Sequence, residues 1–224
     1  MTQEVPMHPK YPRVSCKLVG IHGLKHSGKD SIADYLHRSF HNVWKESFAD
    51  SLKDSASALF GVPFQEFYDT ELKDQVHHHW GITRRLMLQF FGTEMVRDNM
   101  HKILPSIGQD FWYQRLAYRL SGESEYDDVK YDESDIVIIP DVRFQNEYNW
   151  IVANNGIVIH LTRPKESDII DTHKSEQPIN FLIPEASYAL VNDGTLEELY
   201  LKVDELFDNL PGFNRKTISS SETE

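Results

Sequence analysis

Residues Gly23-Leu24-Lys25-His26-Ser27-Gly28-Lys29-Asp30-Ser31 constrain this chain more than any other stretch. An apolar run, Leu18-Val19-Gly20-Ile21, precedes them and reads as a short buried strand. Ile32-Ala33-Asp34-Tyr35-Leu36-His37 follows, with apolar positions at helical spacing. A strand, a loop bracketed as Gly23-x4-Gly28-Lys29, then a helix is the context of a phosphate-binding loop. Glycines let the backbone curl so that N–H groups point inward, and the helix N-terminus adds partial positive charge. Gly23, Ser27 and Gly28 would form the cradle, with Lys29 reaching the β- and γ-phosphates as a compact cation. Asp30 stands where Ser or Thr ordinarily holds Mg²⁺, and the hydroxyl residue, Ser31, comes one place later. Either the Ser31 hydroxyl or the Asp30 carboxylate, directly or through a water, therefore serves the ion.

The chain has 224 residues, 40% of them hydrophobic, enough for one α/β domain with a real core. A net charge of −12 argues against a protein that coats DNA or RNA, which needs a basic surface. It leaves room for a small phosphorylated substrate, for which a few local cations suffice. Cys16 is the single cysteine, so no internal disulfide or thiolate metal site forms. No stretch approaches the roughly 20 apolar residues of a membrane span. Met1–Pro12 is polar and Pro-rich without the apolar core of a signal peptide. The expected setting is the cytoplasm.

Strands are expected at residues 43–48, 136–139, 157–161 and 187–191, and helices at 50–60, 83–100, 109–120, 146–154 and 195–210. Asp50 or Ser51 is placed to cap the first of these helices and Gly61 to end it. Leu196, Leu199, Val203 and Phe207 share one face of the last. Strands alternating with helices predict a parallel sheet covered on both faces, with ligands at the C-terminal strand ends. The organisation is one domain, with a core over about 15–49 and 135–210. A helical insert covers about 50–134, a lid about 162–185, and the ends at 1–14 and 212–224 are loose. Residues 122–133 form an exposed acidic loop.

Asp141 and Arg143 close the strand Ile136–Ile139 at that ligand-bearing end. An acid there can hold Mg²⁺ or its waters, and a guanidinium can clamp a phosphate through two hydrogen bonds. Glu147, four residues on, can orient that arginine; a strand-end turn with a surface ion pair is the plainer alternative. Arg85 and Gln89 share a helix face, a cation for phosphate and an amide for a base edge. Arg163, with Lys165, His173 and Lys174 behind it, suits a closing lid. His77-His78-His79 points in several directions at once and reads as surface or packing ahead of metal.

With these residues in view, the chain resembles the deoxynucleoside monophosphate kinases of large tailed bacteriophages, from about Lys17 to Leu206. The resemblance rests on the Gly28-Lys29-Asp30-Ser31 loop, Phe48-Ala49-Asp50-Ser51-Leu52-Lys53, Arg84 through Glu94 with its Gln89-Phe90-Phe91-Gly92-Thr93-Glu94 stretch, and Phe111-Trp112. Asp141-Val142-Arg143, Leu161-Thr162-Arg163-Pro164, Thr172-His173-Lys174-Ser175-Glu176 and Val191-Asn192-Asp193-Gly194-Thr195 complete it. It implies a phosphate-loop α/β fold that moves a phosphoryl group from ATP, with Mg²⁺, to a deoxynucleoside monophosphate. Gly28, Lys29, Asp30, Ser31 and Asn192 would lie on the ATP side, and Asp30 or Ser31 on the metal. Lys53, Arg84 or Arg85, Gln89, Gly92, Thr93, Trp112, Asp141, Arg143 and Glu147 would surround the deoxynucleotide. Lys25 and His26 would sit at the loop tip between the substrates. Lys29, Arg143, Arg163 and Asp141 would carry the transfer.

The expected partners are ATP and a small-molecule acceptor, with no nucleic acid and no membrane, and the chain is a candidate homodimer. For a phage-encoded protein the cytoplasm is the host's. Two other readings remain: a kinase of another phosphorylated metabolite, such as phosphomevalonate or dephospho-coenzyme A, and a regulatory protein using the loop as a switch. The long insert carrying Arg85, Gln89 and Trp112 favours the first reading, because a switch needs no second nucleotide pocket.

Overall fold

The apolar, β-branched runs become the strands of one fully parallel sheet. The computed structural model describes residues 12–105, 107, 109–164 and 188–216. The strands are β1 (Lys17–His22), β2 (Val43–Lys45), β3 (Ile136–Val142), β4 (Ile157–Thr162) and β5 (Tyr188–Val191), in the order β2-β3-β1-β4-β5. β1 is central, with Val19 opposite Ile138 on one side and Ile157 on the other. The chain leaves β1 toward one edge and later returns to the other, so a crevice opens at the C-terminal end of β1.

Side chains alternate across each strand and separate two cores. On one face Leu18, Val137, Ile139 and Val158 meet α4 (Phe111–Leu120) and α5 (Gln145–Ala153), with Tyr113 stacked on the fully buried Trp150. On the other, Val19, Ile21, Ile138 and Ile159 meet α1 (Lys29–Ser39) and α6 (Leu196–Phe207). α2 (Asp50–Phe60) and α3 (Arg84–Gln89) belong to the insert, which has a small core of Ala56, Val62, Phe67 and Met87. Among the described residues no helix is long and apolar enough to cross a membrane.

Several local expectations change. β2 stops at Lys45, although the Glu46 amide still donates to Ile138 (3.0 Å). The helix expected over 83–100 is α3 followed by a π-helix, Phe90–Arg97. Trp112 Nε1 donates to the Gly92 carbonyl at 2.9 Å, and a Cβ at Gly92 would run into Leu52, so tertiary contacts hold this uncommon helix. Neither Asp50 nor Ser51 caps α2, whose N-cap is Ala49; Gly61 ends it in the left-handed region, as the spacing predicts. Leu196 is exposed, leaving Leu199, Val203 and Phe207 as the buried face of α6.

The ends are less loose than their composition predicts. The Pro12 carbonyl accepts from Trp150 Nε1 and Asn154 Nδ2. Lys216 donates from its backbone to Ser39 at 2.7 Å, and Phe213 packs edge-on against Phe40 and Phe207. The acidic loop is also tied down. Asp127 takes Arg115 (2.9 Å) and Arg119 (3.2 Å), Arg119 reaches Glu46 (3.2 Å), and Tyr131 donates to Glu46. The segment expected to form a lid lies outside the described residues from 165 to 187, with Lys165, His173 and Lys174.

Candidate active site

A cavity of about 480 Å³ opens where the ends of β1 and β3 meet the N-terminus of α1. The 23–31 loop forms one wall. Gly28 holds φ 107°, and a Cβ there would sit 2.9 Å from Asn192 Nδ2 in a backbone region that L side chains avoid. His26 also has positive φ, 63°, unusual for a residue with a side chain. The loop is cross-braced. Lys29 Nζ donates to the Gly23 and Leu24 carbonyls, each at 2.7 Å, and its ammonium lines the cavity. Asn192, buried, donates to the Ser27 carbonyl at 2.8 Å, so it supports the loop from behind and does not line the cavity. Ser27 is 2% exposed, whereas Gly23, Lys25, His26, Gly28, Asp30 and Ser31 face the cavity. Arg163, also in the wall, donates to the His26 carbonyl at 3.4 Å. The Asp30 side chain is 79% exposed and pairs with Lys45 at 3.2 Å.

The β3 end supplies the second wall. Asp141 lies inside β3, and its carboxylate serves the insert: Oδ2 accepts from Ser47 Oγ (2.7 Å) and the Ala49 amide (2.9 Å), Oδ1 from the Phe48 amide (3.1 Å). It therefore holds the turn that leads into α2, ahead of the first helical turn that Asp50 or Ser51 was expected to cap. Burial pushes its pKa up. Glu147 orients Arg143 through the backbone. Its Oε2 accepts the Arg143 and Phe144 amides, at 2.7 and 2.9 Å, fixing the corner from which the guanidinium projects into the cavity.

Burial pushes the Glu147 carboxyl from 4.5 up to about 7. The folded protein thus keeps a proton that the unfolded chain releases above 4.5, and stability falls as pH rises through about 7. The full amplitude is on the order of 3 kcal/mol. Glu147→Gln should flatten this part of the Tm–pH curve between about pH 4.5 and 8. Parallel curves for the two proteins would refute the assignment.

The insert forms the third wall with Thr70, Lys73, Asp74 and Arg85. Arg84 and Arg85, adjacent in sequence, separate here. Arg84 is buried, pairs with Glu66 and donates to the Leu72 and Gln75 carbonyls (3.3 Å each). Arg85 faces the cavity and donates to both oxygens of Asp74. Gln89 follows one turn later, outside the lining. Gly92, Thr93 and Trp112 also lie outside it, in the π-helix and its packing. Lys53 stands over the Tyr68 ring at 3.8 Å and pairs with Asp50 at 3.3 Å, behind the wall.

Among the polar and charged lining residues, four escape sequence reasoning: His22, Thr70, Lys73 and Asp74. His22 precedes Gly23, so the loop motif pointed next to it; its Nδ1 lies 2.9 Å from the Val142 carbonyl, and burial lowers its pKa. Lys73 and Asp74 sit in a 3₁₀ turn, Leu72–Asp74, within a stretch without periodicity. Burial, then the neighbouring charges of Lys53, Arg85 and Arg143, push Lys73 down to about 8. On a chain of net charge −12, six cations—Lys25, Lys29, Lys73, Arg85, Arg143 and Arg163—line one cavity. That arrangement is built for polyanions.

The sequence pattern of the deoxynucleotide monophosphate kinase family matches residues 48–203. A putative deoxynucleotide monophosphate kinase of Acanthamoeba polyphaga mimivirus is 36% identical over 202 residues, 88% of this chain and 99% of that protein. The deoxynucleotide monophosphate kinase of Enterobacteria phage T4 is 29% identical over 134 residues, 60% of this chain and 48% of the phage protein. That of Escherichia phage RB69 is 27% identical over 172 residues, 77% and 62% of the two chains. A solved, unliganded sugar kinase from a Janibacter species aligns at 12% identity over 88% of this chain and 96% of its own, with a TM-score of 0.36, too distant to bear on the site. The match over 48–203 and the mimivirus relative together show that this chain belongs to the deoxynucleotide monophosphate kinase family, a family of phosphotransferases.

Proposed function

We propose that this chain transfers the γ-phosphoryl group of ATP to the 5′-phosphate of deoxynucleoside monophosphates. One observation carries the reading: the phosphate loop with Lys29 and the cations Arg85 and Arg143 line a single cavity. A phosphoryl donor on the loop and a phosphorylated acceptor on the insert side would meet between them. Such a transfer needs little covalent chemistry from the protein, mainly positioning and charge neutralisation. Loop amides and Lys29 would hold the donor phosphates. Arg85 and Arg143 would bind the acceptor phosphate, and Arg163 would add positive charge near the loop tip. Asp141 and Glu147 would keep the Arg143 corner and the start of α2 in register.

The family implies a divalent cation, and the donor set fits one. Asp30 and Ser31 offer hard oxygens at the cavity wall, and Asp30 already attracts the Lys45 ammonium. When bound, Mg²⁺ neutralises charge on the phosphate oxygens. Asp30→Asn is expected to raise the Mg²⁺ concentration needed for half-maximal rate more than Ser31→Ala does, because a carboxylate contributes charge as well as an oxygen. The opposite ranking in Mg²⁺ titrations would give the hydroxyl the main role.

On this reading the partners are small molecules in the cytoplasm, the host's for a phage-encoded protein. The test is a coupled ADP-release assay across the four dNMPs, with ribonucleotides and phosphorylated metabolites as controls. Turnover with a dNMP is expected. Turnover only with a metabolite would move the activity to another phosphate-acceptor kinase, and ATP binding without acceptor-dependent turnover would replace the enzyme with a switch.

A further inference from the structure

The cations on the acceptor side are crowded, and one carboxylate faces them. Three acids are among the described residues lining the cavity, Asp30, Asp74 and Asp141. Asp30 is engaged by Lys45, and Asp141 accepts the hydrogen bonds of residues 47–49. Asp74 instead turns to Arg85, which donates to both of its oxygens, the Nη2–Oδ2 distance being 3.0 Å. Lys25, from the tip of the phosphate loop, lies 3.9 Å from Oδ2. The Asp74 side chain is 54% exposed within the cavity wall.

A staple for the local hairpin would explain an Asp74–Arg85 pair, but that hairpin is already held. Val76 bridges Thr83, His77 donates from its backbone to Ile82 at 2.8 Å, and Arg84 ties the Leu72 and Gln75 carbonyls to Glu66. The contact with Lys25 also joins two separate elements, the insert and the loop tip. A carboxylate spread over a guanidinium edge and a lysine imitates what a phosphate group would do there.

We propose that Asp74 is a displaceable surrogate for the acceptor's phosphate, occupying Arg85 and neighbouring Lys25 until a phosphate dianion takes both, so that the site is reserved for phosphorylated acceptors. This rests on the acceptor reading above. A phosphomonoester carries about −1.5 to −2 charge and three strong acceptor oxygens near pH 7, against one charge and two oxygens for Asp74. The exchange therefore favours the phosphate. An unphosphorylated nucleoside brings no anion to replace the Asp74–Arg85 pair and leaves it in place. While the site lacks substrate, Asp74 also offsets the mutual repulsion of Arg85, Lys25 and Lys73; the Arg85 hydrogen bond first, then these charges, hold its carboxyl below the usual carboxylate range.

The experiment titrates the intact protein, wild type and Asp74→Asn, by calorimetry with inorganic phosphate, each dNMP, a deoxynucleoside and ATP. Removing the competing charge should tighten inorganic phosphate and the accepted dNMP by about 3- to 10-fold, with ATP and the nucleoside unchanged. Asp74→Ala should shift both anions in the same direction, and matching Tm values confirm folding. Unchanged, weaker or undetectable phosphate binding in the folded variants would overturn the proposal, weaker binding making Asp74 a positioning residue for Arg85. Tighter inorganic phosphate with no dNMP bound by either protein would keep the surrogate and remove the dNMP assignment. Equal dNMP and phosphate binding by both proteins would do the reverse.

Discussion

Lys29→Met is expected to fold and to lose about 10²- to 10³-fold in turnover, the scale of removing one preorganised charge donor from a transfer site. The wild-type ammonium donates to the Gly23 and Leu24 carbonyls, which keep it at the cavity wall. Methionine keeps most of the side-chain length and removes the charge. The loss should therefore appear in kcat with a smaller change in ATP affinity, read by steady-state kinetics beside calorimetry. Both carbonyls lie at the accessible loop and water replaces the lost donor there, so Tm should move little. Near-normal turnover in a folded variant would remove the loop from the mechanism.

Arg143→Lys is expected to lower kcat/KM for the accepted dNMP by about 2 to 4 kcal/mol in transition-state stabilisation, with ATP affinity nearly unchanged. Glu147 fixes the Arg143 backbone through two amides, so the substitution leaves the corner intact and changes only the head group. A guanidinium can meet two phosphate oxygens at once, whereas an ammonium acts as a point charge and recovers part of the energy. Equal weakening of ATP and dNMP would take Arg143 off the acceptor side, and an unaffected kcat/KM would take it out of the reaction.

What could be read from residues alone follows from the range of each interaction. The loop, the strand runs and the helix periodicities are local and legible, including the parallel sheet and the ligand-bearing strand ends. The failures have distant causes. Nothing near Asp50 shows that Asp141, more than ninety residues later, holds the turn before its helix. The apolar spacing of 83–100 reads as helical and does not mark the change to a π-helix at Phe90; contacts from Trp112 and Leu52 accompany the wider turn. Arg84 and Arg85 are equivalent in sequence, and their separate partners divide them, Glu66 with the Leu72 and Gln75 carbonyls for one and Asp74 for the other. Pro12 and Lys216 look like tail residues until Trp150 and Ser39 are seen to receive them. Lys73 and Asp74 carry no spacing signal, because the 3₁₀ turn that presents them imposes none.

The two attachments of the insert to the sheet have a mechanical consequence. At its start, Asp141 grips the turn at 47–49; at its end, Glu46, Arg119, Asp127 and Tyr131 form a charged clasp against β2. Swinging the whole insert as a rigid arm would break the Arg119–Glu46 ion pair, the Tyr131 hydrogen bond to Glu46 and the three hydrogen bonds that Asp141 accepts. Neither attachment is a hinge. Closure over an acceptor would be carried by the tip, residues 70–89, where Asp74 and Arg85 project, while the base stays yoked to the sheet.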